Sequence, residues 1–135
     1  ATYAEFRQDD RIKDFMIAGL AQFEHMCRKI VATMNYNITD IEIISDTEIE
    51  IIATENEGKW RNTRQSNRII RILRTTEVLP ESYFRKLHES MRPRNATRLL
   101  VITTGEISQK ALEFANTRPI EIKGKAELVE LLRKI

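Results

Sequence analysis

The longest hydrophobic pattern in the chain predicts a helix. From Arg11 onward, apolar residues recur every three or four positions, as they do on the buried face of an amphipathic helix. The residues that carry this pattern are Ile12, Met16, Leu20, Phe23, Cys27, Ile30 and Met34. A single helix over this stretch would be about 36 Å long, which is more than a compact domain of this size spans. We therefore expect the helix to break or bend near Gly19.

Shorter apolar runs in the middle of the chain predict strands. Residues 38–44 and 48–54 are separated by a polar turn, so we expect them to form an antiparallel pair. Residues 68–74 predict a third strand whose two faces are of mixed polarity, and we do not expect it to be buried on both sides. The continuous run at residues 99–102 is typical of a strand buried on both faces, and we expect it at the centre of the sheet.

The last third of the chain predicts a further alternation of strands and helices. Ser108 is a suitable N-cap for a helix over residues 109–116, and Pro119 prevents that helix from continuing. Ile120 and Ile122 alternate with charged residues as a short strand, and leucines at helical spacing then predict a closing helix. Two strands joined through a helix form a parallel, right-handed unit. With the antiparallel pair, this predicts an α/β domain in which a central mixed β-sheet is flanked by helices.

Composition indicates one globular domain. Of the 135 residues, 41% are hydrophobic and 31% are charged, which is ordinary for a soluble domain. No apolar run approaches the roughly 20 residues that span a bilayer, so we expect no membrane partner and no leader segment. The single cysteine, Cys27, cannot form an internal disulfide, and we predict a reducing, cytoplasmic location. His25 and His88 have no partner at catalytic or zinc-binding spacing, so we expect both to be structural or exposed.

Charged residues are segregated along the chain, although the net charge is only +2. An acidic block comes first and is formed by Asp40, Glu42, Asp46, Glu48, Glu50, Glu55 and Glu57. A basic block follows and is formed by Lys59, Arg61, Arg64, Arg68, Arg71 and Arg74. One interpretation is a surface that follows a phosphate backbone, with Trp60 available for stacking and further support from Arg92, Arg94 and Arg98. The other is that the two blocks neutralise each other across adjacent strands, with Glu50 opposite Arg71.

Residues 101–132 carry a resemblance to a known family. Their sequence, VITTGEISQKALEFANTRPIEIKGKAELVELL, contains a strand ending in Thr-Thr-Gly, a helix with paired alanines and a glycine before a short leucine-rich helix. In this order the features resemble the C-terminal half of the Mrr-type restriction endonuclease domain, and a weaker similarity extends back to Phe23. The resemblance implies a restriction endonuclease-like fold of the PD-(D/E)XK nuclease class. It also implies that residues 1–19 are an additional N-terminal helix and that residues 20–135 form the endonuclease-like domain.

The same resemblance identifies candidate catalytic residues. Nucleases of this fold hold a divalent metal with carboxylates and use a lysine on the next strand. In this sequence Glu50 lies where the family has its metal-binding aspartate, and Glu24 resembles an acid that assists some members. The family's Gln-x-Lys pair is replaced by Arg71 and Leu73 or, in a shifted alignment, by Asn-x-Arg at residues 62–64. Neither leucine nor arginine accepts a proton, so the resemblance implies a degraded nuclease centre.

From these observations we predict a nucleic-acid-binding module with an inactive nuclease centre. Its expected partner is double-stranded DNA, and no cofactor is expected. The predicted nucleic-acid-binding residues are Lys59, Arg61, Arg64, Arg68, Arg71, Arg74 and Arg94. Two alternatives remain open. An active DNA endonuclease of the Mrr type would use Mg²⁺ held by Glu50, with Glu24 as a second catalytic acid, whereas a protein-interaction domain would form a homodimer through the N-terminal helix.

Overall fold

The computed structural model describes residues 3–55 and 66–135, with side chains from residue 10 onward. The helices are α1 (Tyr3–Ile17), α2 (Leu20–Thr33), α3 (Glu81–Met91), α4 (Gln109–Asn116) and α5 (Lys125–Arg133), with a short 3-10 helix at Arg92–Arg94. The strands are β1 (Tyr36–Ser45), β2 (Glu48–Glu55), β3 (Asn67–Leu73), β4 (Ala96–Thr103) and β5 (Ile120–Lys123).

The described strands form one five-stranded mixed sheet in the order β1-β2-β3-β4-β5. β1, β2 and β3 pair antiparallel, whereas β3, β4 and β5 pair parallel. The predicted α/β class, a mixed sheet flanked by helices, is therefore confirmed. The middle strand is β3, and β4 lies between β3 and β5, so the expectation that residues 99–102 form the centre was wrong.

β3 is also more deeply buried than its charged sequence suggested. Ile69, Ile70 and Ile72 are fully buried, because helices cover both faces of the sheet at this strand. The expectation that this strand would lack burial on both sides was wrong. Its charges do not prevent burial because acidic side chains of the neighbouring β2 pair with Arg68 and Arg71.

Two hydrophobic cores lie on the two faces of the sheet. Helices α1, α2 and α5 cover one face, towards which Ile70 and Ile72 of β3 point. Helices α3 and α4 cover the other face, towards which Ile69 and Leu73 point. We call these the α2 face and the α3 face. Each fully buried aliphatic side chain stabilises the fold by about 1.5–3 kcal/mol, so both layers contribute to holding the sheet.

The N-terminal helical segment breaks where the sequence predicted. α1 ends at Ile17, and Gly19 is the N-cap of α2, which begins at Leu20. The two helices fold back on the same core, where the rings of Phe15 and Phe23 meet edge to face with centroids 5.3 Å apart. The apolar stripe proposed to join two subunits is therefore largely buried inside the chain.

Arg74 attaches α1 to the end of the central strand. Its side chain is 8% exposed, and its guanidinium lies 4.2 Å from the centre of the Phe23 ring. Arg74 Nε donates to the carbonyl oxygen of Asp46 at 2.9 Å, and Nη1 donates to the carbonyl oxygens of Phe15, at 3.2 Å, and Ala18. The last carbonyls of a helix have no partner within the helix and favour a cation. Arg74 thus caps α1 from outside.

Cys27 is part of the core on the α2 face. Burial raises the pKa of its thiol, although the charge of Arg74 acts in the opposite direction. A buried thiol of this kind packs as a small apolar side chain and is not a nucleophile. None of the described helices has both the length and the apolar character needed to cross a bilayer.

Candidate functional site

The Glu50 side chain lies on the α3 face and is only 3% exposed. Its partner across the β2 and β3 pairing is Arg71, as the charge pattern predicted. Arg71 Nε donates to Glu50 Oε2 at 2.7 Å. Arg94 approaches from the 3-10 helix, donating from Nη1 to Oε1 and from Nη2 to Oε2 at 3.1 Å. Both carboxylate oxygens of Glu50 therefore accept hydrogen bonds from arginines.

Glu48 and Tyr83 extend this arrangement towards α3. Arg71 Nη1 donates to Glu48 Oε2, and the Tyr83 hydroxyl donates to the same oxygen at 2.6 Å. We call Glu48, Glu50, Arg71, Arg94 and Tyr83 the Glu50 network. Its two carboxylates and two guanidiniums carry charges that sum to zero. Hydrogen-bonded charge pairs of this kind satisfy the groups that burial would otherwise leave without partners.

Local backbone structure fixes Arg94 in its position. The next residue, Asn95, has a φ of 53° and ends the 3-10 helix in the left-handed region, which asparagine tolerates better than most residues. Asn67 Nδ2 donates to the carbonyl oxygen of Arg94 at 3.0 Å. Arg94 Nη2 also donates to Ser90 Oγ at 2.8 Å. Both the backbone and the guanidinium of Arg94 are thereby held in position beside Glu50.

The pKa values in the Glu50 network follow from burial and pairing. Burial alone would raise the pKa of the Glu50 carboxyl, but hydrogen bonds and charges from Arg94 and Arg71 outweigh it and hold the pKa below its usual range. Burial opposes the charge of Arg71, yet Glu48 and Glu50 raise the pKa of its guanidinium further. Burial, and then the bond to the Glu48 carboxylate, raise the pKa of the Tyr83 hydroxyl. None of these groups is suited to exchanging a proton near neutral pH.

Glu24, the second predicted catalytic acid, lies on the opposite side of the sheet. It belongs to α2, which packs on the face reached by Ile49 and Ile51, whereas Glu50 faces α3. The carboxylate of Glu24 accepts a hydrogen bond at 3.1 Å from Arg28, one turn along the same helix. The structure therefore does not bring Glu24 and Glu50 into one site. Their catalytic and metal-binding roles stay predictions.

The predicted nucleic-acid-binding residues lie in several different environments. Lys59, Arg61 and Arg64 lie outside the described residues. Arg71 and Arg94 belong to the Glu50 network, and Arg74 is buried against α1. Arg68 pairs with Glu55, and its guanidinium lies 5.4 Å from the centre of the Tyr36 ring. The role of these residues in binding nucleic acid stays a prediction.

A second arginine cluster borders an open cavity on the α2 face. Arg68 and Arg98 are partners across β3 and β4, and Arg118 lies shortly before β5. With Tyr36 and Glu121 they line a cavity of about 270 Å³, which we call the basic pocket. The lining residues thus include three arginines and one glutamate. Arg98 is exposed and makes no hydrogen bond or ion pair with any residue in the described part of the chain.

Comparison with known families accounts for this architecture. A family model named Mrr_cat, described as a restriction endonuclease, matches residues 18–132. The chain belongs to this restriction endonuclease family. The resemblance found in residues 101–132 is therefore confirmed and extends over most of the chain.

One solved structure shares the fold of this restriction endonuclease family member. It is similar to the DNA modification-dependent restriction endonuclease AspBHI, with a TM-score of 0.62 and 13% identity over 99% of this chain and 36% of that one. It thus spans about a third of the AspBHI chain. It is also similar to EndoMS in its apo form, with a TM-score of 0.49 and 10% identity over 75% of this chain and 44% of that one. No curated protein sequence matches it.

The donor set around Glu50 does not fit the divalent metal that this nuclease fold implies. Mg²⁺ requires carboxylate or carbonyl oxygens with free lone pairs and an excess of negative charge. In this family member each carboxylate near the expected position is paired with Arg71, and Arg94 adds a second positive charge at Glu50. No three potential ligands drawn from His, Cys, Asp and Glu come together among the described residues. Leu73, which one of the two alignments places at the family's lysine position, packs in the apolar core of the α3 face.

Sequence reasoning missed three residues that matter in these two clusters. Glu48 was not recognised as a partner of Arg71, nor Tyr83 as a partner of Glu48, because these contacts join residues that are far apart in sequence. Arg118 was not considered because it follows a helix and stands alone among uncharged residues. The register of the parallel strands was the available signal, since it places Arg68 beside Arg98 and Leu99 beside Ile120, two residues after Arg118.

Proposed function

We propose that this restriction endonuclease-like chain binds double-stranded DNA and does not cleave it. The main support for the absence of cleavage is the hydrogen bonding of Glu50. Its two carboxylate oxygens accept hydrogen bonds from Arg71 and Arg94. A metal would have to displace two arginines from an almost fully buried carboxylate. Removing one partner from such a pair typically costs about 3–5 kcal/mol, which a weakly held Mg²⁺ does not offset.

The lack of a proton acceptor supports the same conclusion. Hydrolysis of a phosphodiester needs an activated water and a positioned group that supports the developing charge. In the described structure the surroundings of Glu50 offer Arg71 and Tyr83, and burial keeps the Tyr83 hydroxyl protonated. The site that the family uses for chemistry serves here to fasten α3 and the 3-10 helix to the sheet.

Binding of DNA is supported by the family and by the distribution of positive charge. Arg68, Arg98 and Arg118 gather at one edge of the sheet, and the basic segment at residues 59–64 leads into β3 at that edge. Arginines that neutralise phosphates release counterions, so we expect binding of duplex DNA that is weak, insensitive to sequence and steeply dependent on salt.

The decisive experiment is incubation of the chain with supercoiled plasmid and Mg²⁺ or Mn²⁺, alongside calorimetric titration of Mn²⁺. We expect no nicking and no heat of metal binding, while the plasmid shifts in a gel at low salt. Nicking by the wild-type chain that is lost in Glu50→Gln and kept in Arg94→Gln would refute the inactive centre. Nicking that persists in Glu50→Gln would come from a contaminant.

Assembly as a homodimer is a second proposal, and it rests on one exposed residue. The side chains of Ile12, Phe15 and Phe23 are internal, but Ile17 at the end of α1 is 77% exposed. We propose that a homodimer formed through the N-terminal helix would centre on Ile17. Sedimentation at micromolar concentration should then show a dimer that Ile17→Asp converts to a monomer. A wild-type monomer would contradict it.

A further inference from the structure

We infer that the basic pocket is a binding site for a phosphate monoester on a small organic group, such as the 5′-phosphate of a nucleotide. The lining of the pocket combines three arginines with apolar residues. Arg68, Arg98 and Arg118 supply the positive charge, and Pro119 and Ile120 supply apolar surface. A terminal phosphate offers three acceptor oxygens and nearly two negative charges, which suits several guanidinium forks better than an internal phosphodiester does.

Two of the three arginines have no carboxylate partner among the described residues, and one of them, Arg118, is held in place by other contacts. Arg118 Nη1 donates to the carbonyl oxygen of Phe114 and to Thr117 Oγ1, each at 3.0 Å. Its guanidinium also lies 3.7 Å from the centre of the Phe114 ring. These contacts hold the side chain without a carboxylate partner. Arg98 has no partner among the described residues, so its full donor set is available.

The described acids near the pocket are already paired, Glu55 with Arg68 of the pocket itself and Glu121 with Lys123. Arg68 forms an ion pair with Glu55, and its guanidinium lies over the Tyr36 ring. Glu121, the one carboxylate in the lining, lies 3.4 Å from Lys123 Nζ and is largely exposed. Among the described residues, Arg98 and Arg118 therefore have no carboxylate partner at the cavity. This differs from the Glu50 network, where every charge is matched.

The size of the pocket sets the class of ligand. A volume of about 270 Å³ is just under the range of roughly 300–1,000 Å³ that drug-sized ligands occupy. The pocket is thus too small for a segment of duplex and suits a phosphate with a sugar or a similar short group. The inference does not require the proposed function, because a free nucleotide and a phosphorylated strand end present the same chemistry.

The test is a calorimetric titration of the full chain with deoxyadenosine 5′-monophosphate at low salt. Deoxyadenosine without the phosphate should not bind, and inorganic phosphate should compete. Arg98→Gln should weaken binding of the nucleotide about tenfold, the usual consequence of losing one charged hydrogen-bonding group. Arg98→Lys keeps the charge and loses the planar fork, so its affinity for the nucleotide should lie between those of the wild type and Arg98→Gln. Arg92→Gln is the matched control, because Arg92 is also exposed and is not part of the pocket lining.

Oligonucleotides distinguish the two sources of the phosphate. If strand ends are the natural ligand, a 5′-phosphorylated oligonucleotide should bind more tightly than its 5′-hydroxyl counterpart, and Arg98→Gln should remove the difference. If free nucleotides are the ligand, the two oligonucleotides should bind alike while the mononucleotide retains its dependence on Arg98. Covalently closed plasmid has no strand ends, so its binding tests the proposed function separately.

Two results would overturn the inference. One is the absence of any phosphate-dependent binding of the mononucleotide to the wild-type chain at low salt. The other is equal affinity of the wild type, Arg98→Gln and Arg92→Gln. Because Arg98 is exposed, its variants should fold normally, and equal urea midpoints would verify this.

Discussion

The Glu50 network and the basic pocket both draw on arginines of β3, yet they are opposite in almost every physical respect. The network lies where β3 ends and faces α3, whereas the pocket lies where β3 begins and faces the side of α2. In the network Arg71 meets two carboxylates, and the charges sum to zero. In the pocket Arg98 and Arg118 have no carboxylate partner among the described residues.

The comparison teaches that a run of arginines has no single meaning. Residues three apart on one strand, Arg68 and Arg71, point to opposite faces and meet different surroundings. Where an acid stands opposite on β2, the arginine stabilises the fold. Arg98, which lies beside Arg68 on the parallel neighbour β4, has no acid partner among the described residues.

The largest expected difference between the regions is in stability. Glu50→Ala leaves Arg71 and Arg94 without their shared acceptor in a mostly buried position, so the free energy of unfolding should fall by about 3–5 kcal/mol. Arg98→Gln should change it by less than about 0.5 kcal/mol, because Arg98 is exposed. Urea unfolding measures both.

A matched acid provides the control for this prediction. Glu42 is the partner of Glu50 across β1 and β2 but is exposed and has no bonded arginine among the described residues. Glu42→Ala should therefore stay within about 0.5 kcal/mol of the wild type. Similar losses for Glu42→Ala and Glu50→Ala would show that the network does not stabilise the fold as described.

The response to acid should sharpen the same contrast. The pKa of Glu50 is lower in the folded chain than in the unfolded chain, so the unfolded state binds more protons in the interval between the two values. Glu50 then contributes stability above its unfolded pKa of about 4.3, and this is lost as the pH falls through the folded pKa. Urea unfolding should be measured between about pH 2 and pH 6. The free energy of unfolding of Glu50→Gln should fall less steeply with falling pH than that of the wild type, and the two slopes should differ by at most about 1.4 kcal/mol per pH unit.

The two regions also offer a matched pair of tyrosines. Tyr83→Phe removes a hydroxyl that donates to the Glu48 carboxylate, so it should lower the free energy of unfolding by about 1–2 kcal/mol. Tyr36→Phe should change the free energy of unfolding by less than about 0.5 kcal/mol, because the Tyr36 hydroxyl forms no hydrogen bond with a described residue. Equal effects in the two variants would count against the inferred contribution of Tyr83.

The smallest effect on stability is expected for the basic segment before β3. Replacing Arg61 and Arg64 together with glutamine should leave the urea midpoint unchanged. It should weaken duplex binding and reduce the slope of log affinity against log salt by about two, roughly one for each lost phosphate contact. Arg92→Gln with Arg85→Gln serves as a control of equal charge. An unchanged slope in the Arg61 and Arg64 double variant would remove this segment from the DNA-binding surface.

Much of the fold follows from local signals that the sequence displays directly. The break at Gly19 was predicted from helix length, and the cap at Ser108 was predicted from side-chain chemistry. In the structure Ser108 Oγ accepts a hydrogen bond from the Ala111 amide at 3.1 Å. The parallel pairing of β4 and β5 followed from the intervening helix. Such features depend on residues close together in the chain.

The features that were missed depend on contacts between distant residues. The burial of β3 was misjudged because the sequence does not reveal that Glu48 would also pair with Arg71, or that helices would cover both faces. The pairing of Glu50 with Arg71 was anticipated from charge alone, but the second arginine at Glu50 was not. Arg94 is 44 residues away and reaches Glu50 only through the left-handed turn at Asn95.

The contacts of Arg74 affect which parts of the chain can unfold locally. Because its guanidinium holds the last carbonyls of α1 while its backbone continues β3, neither element can detach without exposing a buried cation. Amide protons of α1 should accordingly exchange with solvent as slowly as those of α2, in one cooperative unit. Residues 1–19 and 20–135, which the sequence analysis separated, would then unfold together as one cooperative unit. Removing residues 1–19 would leave the guanidinium of Arg74 facing an empty groove beside Phe23.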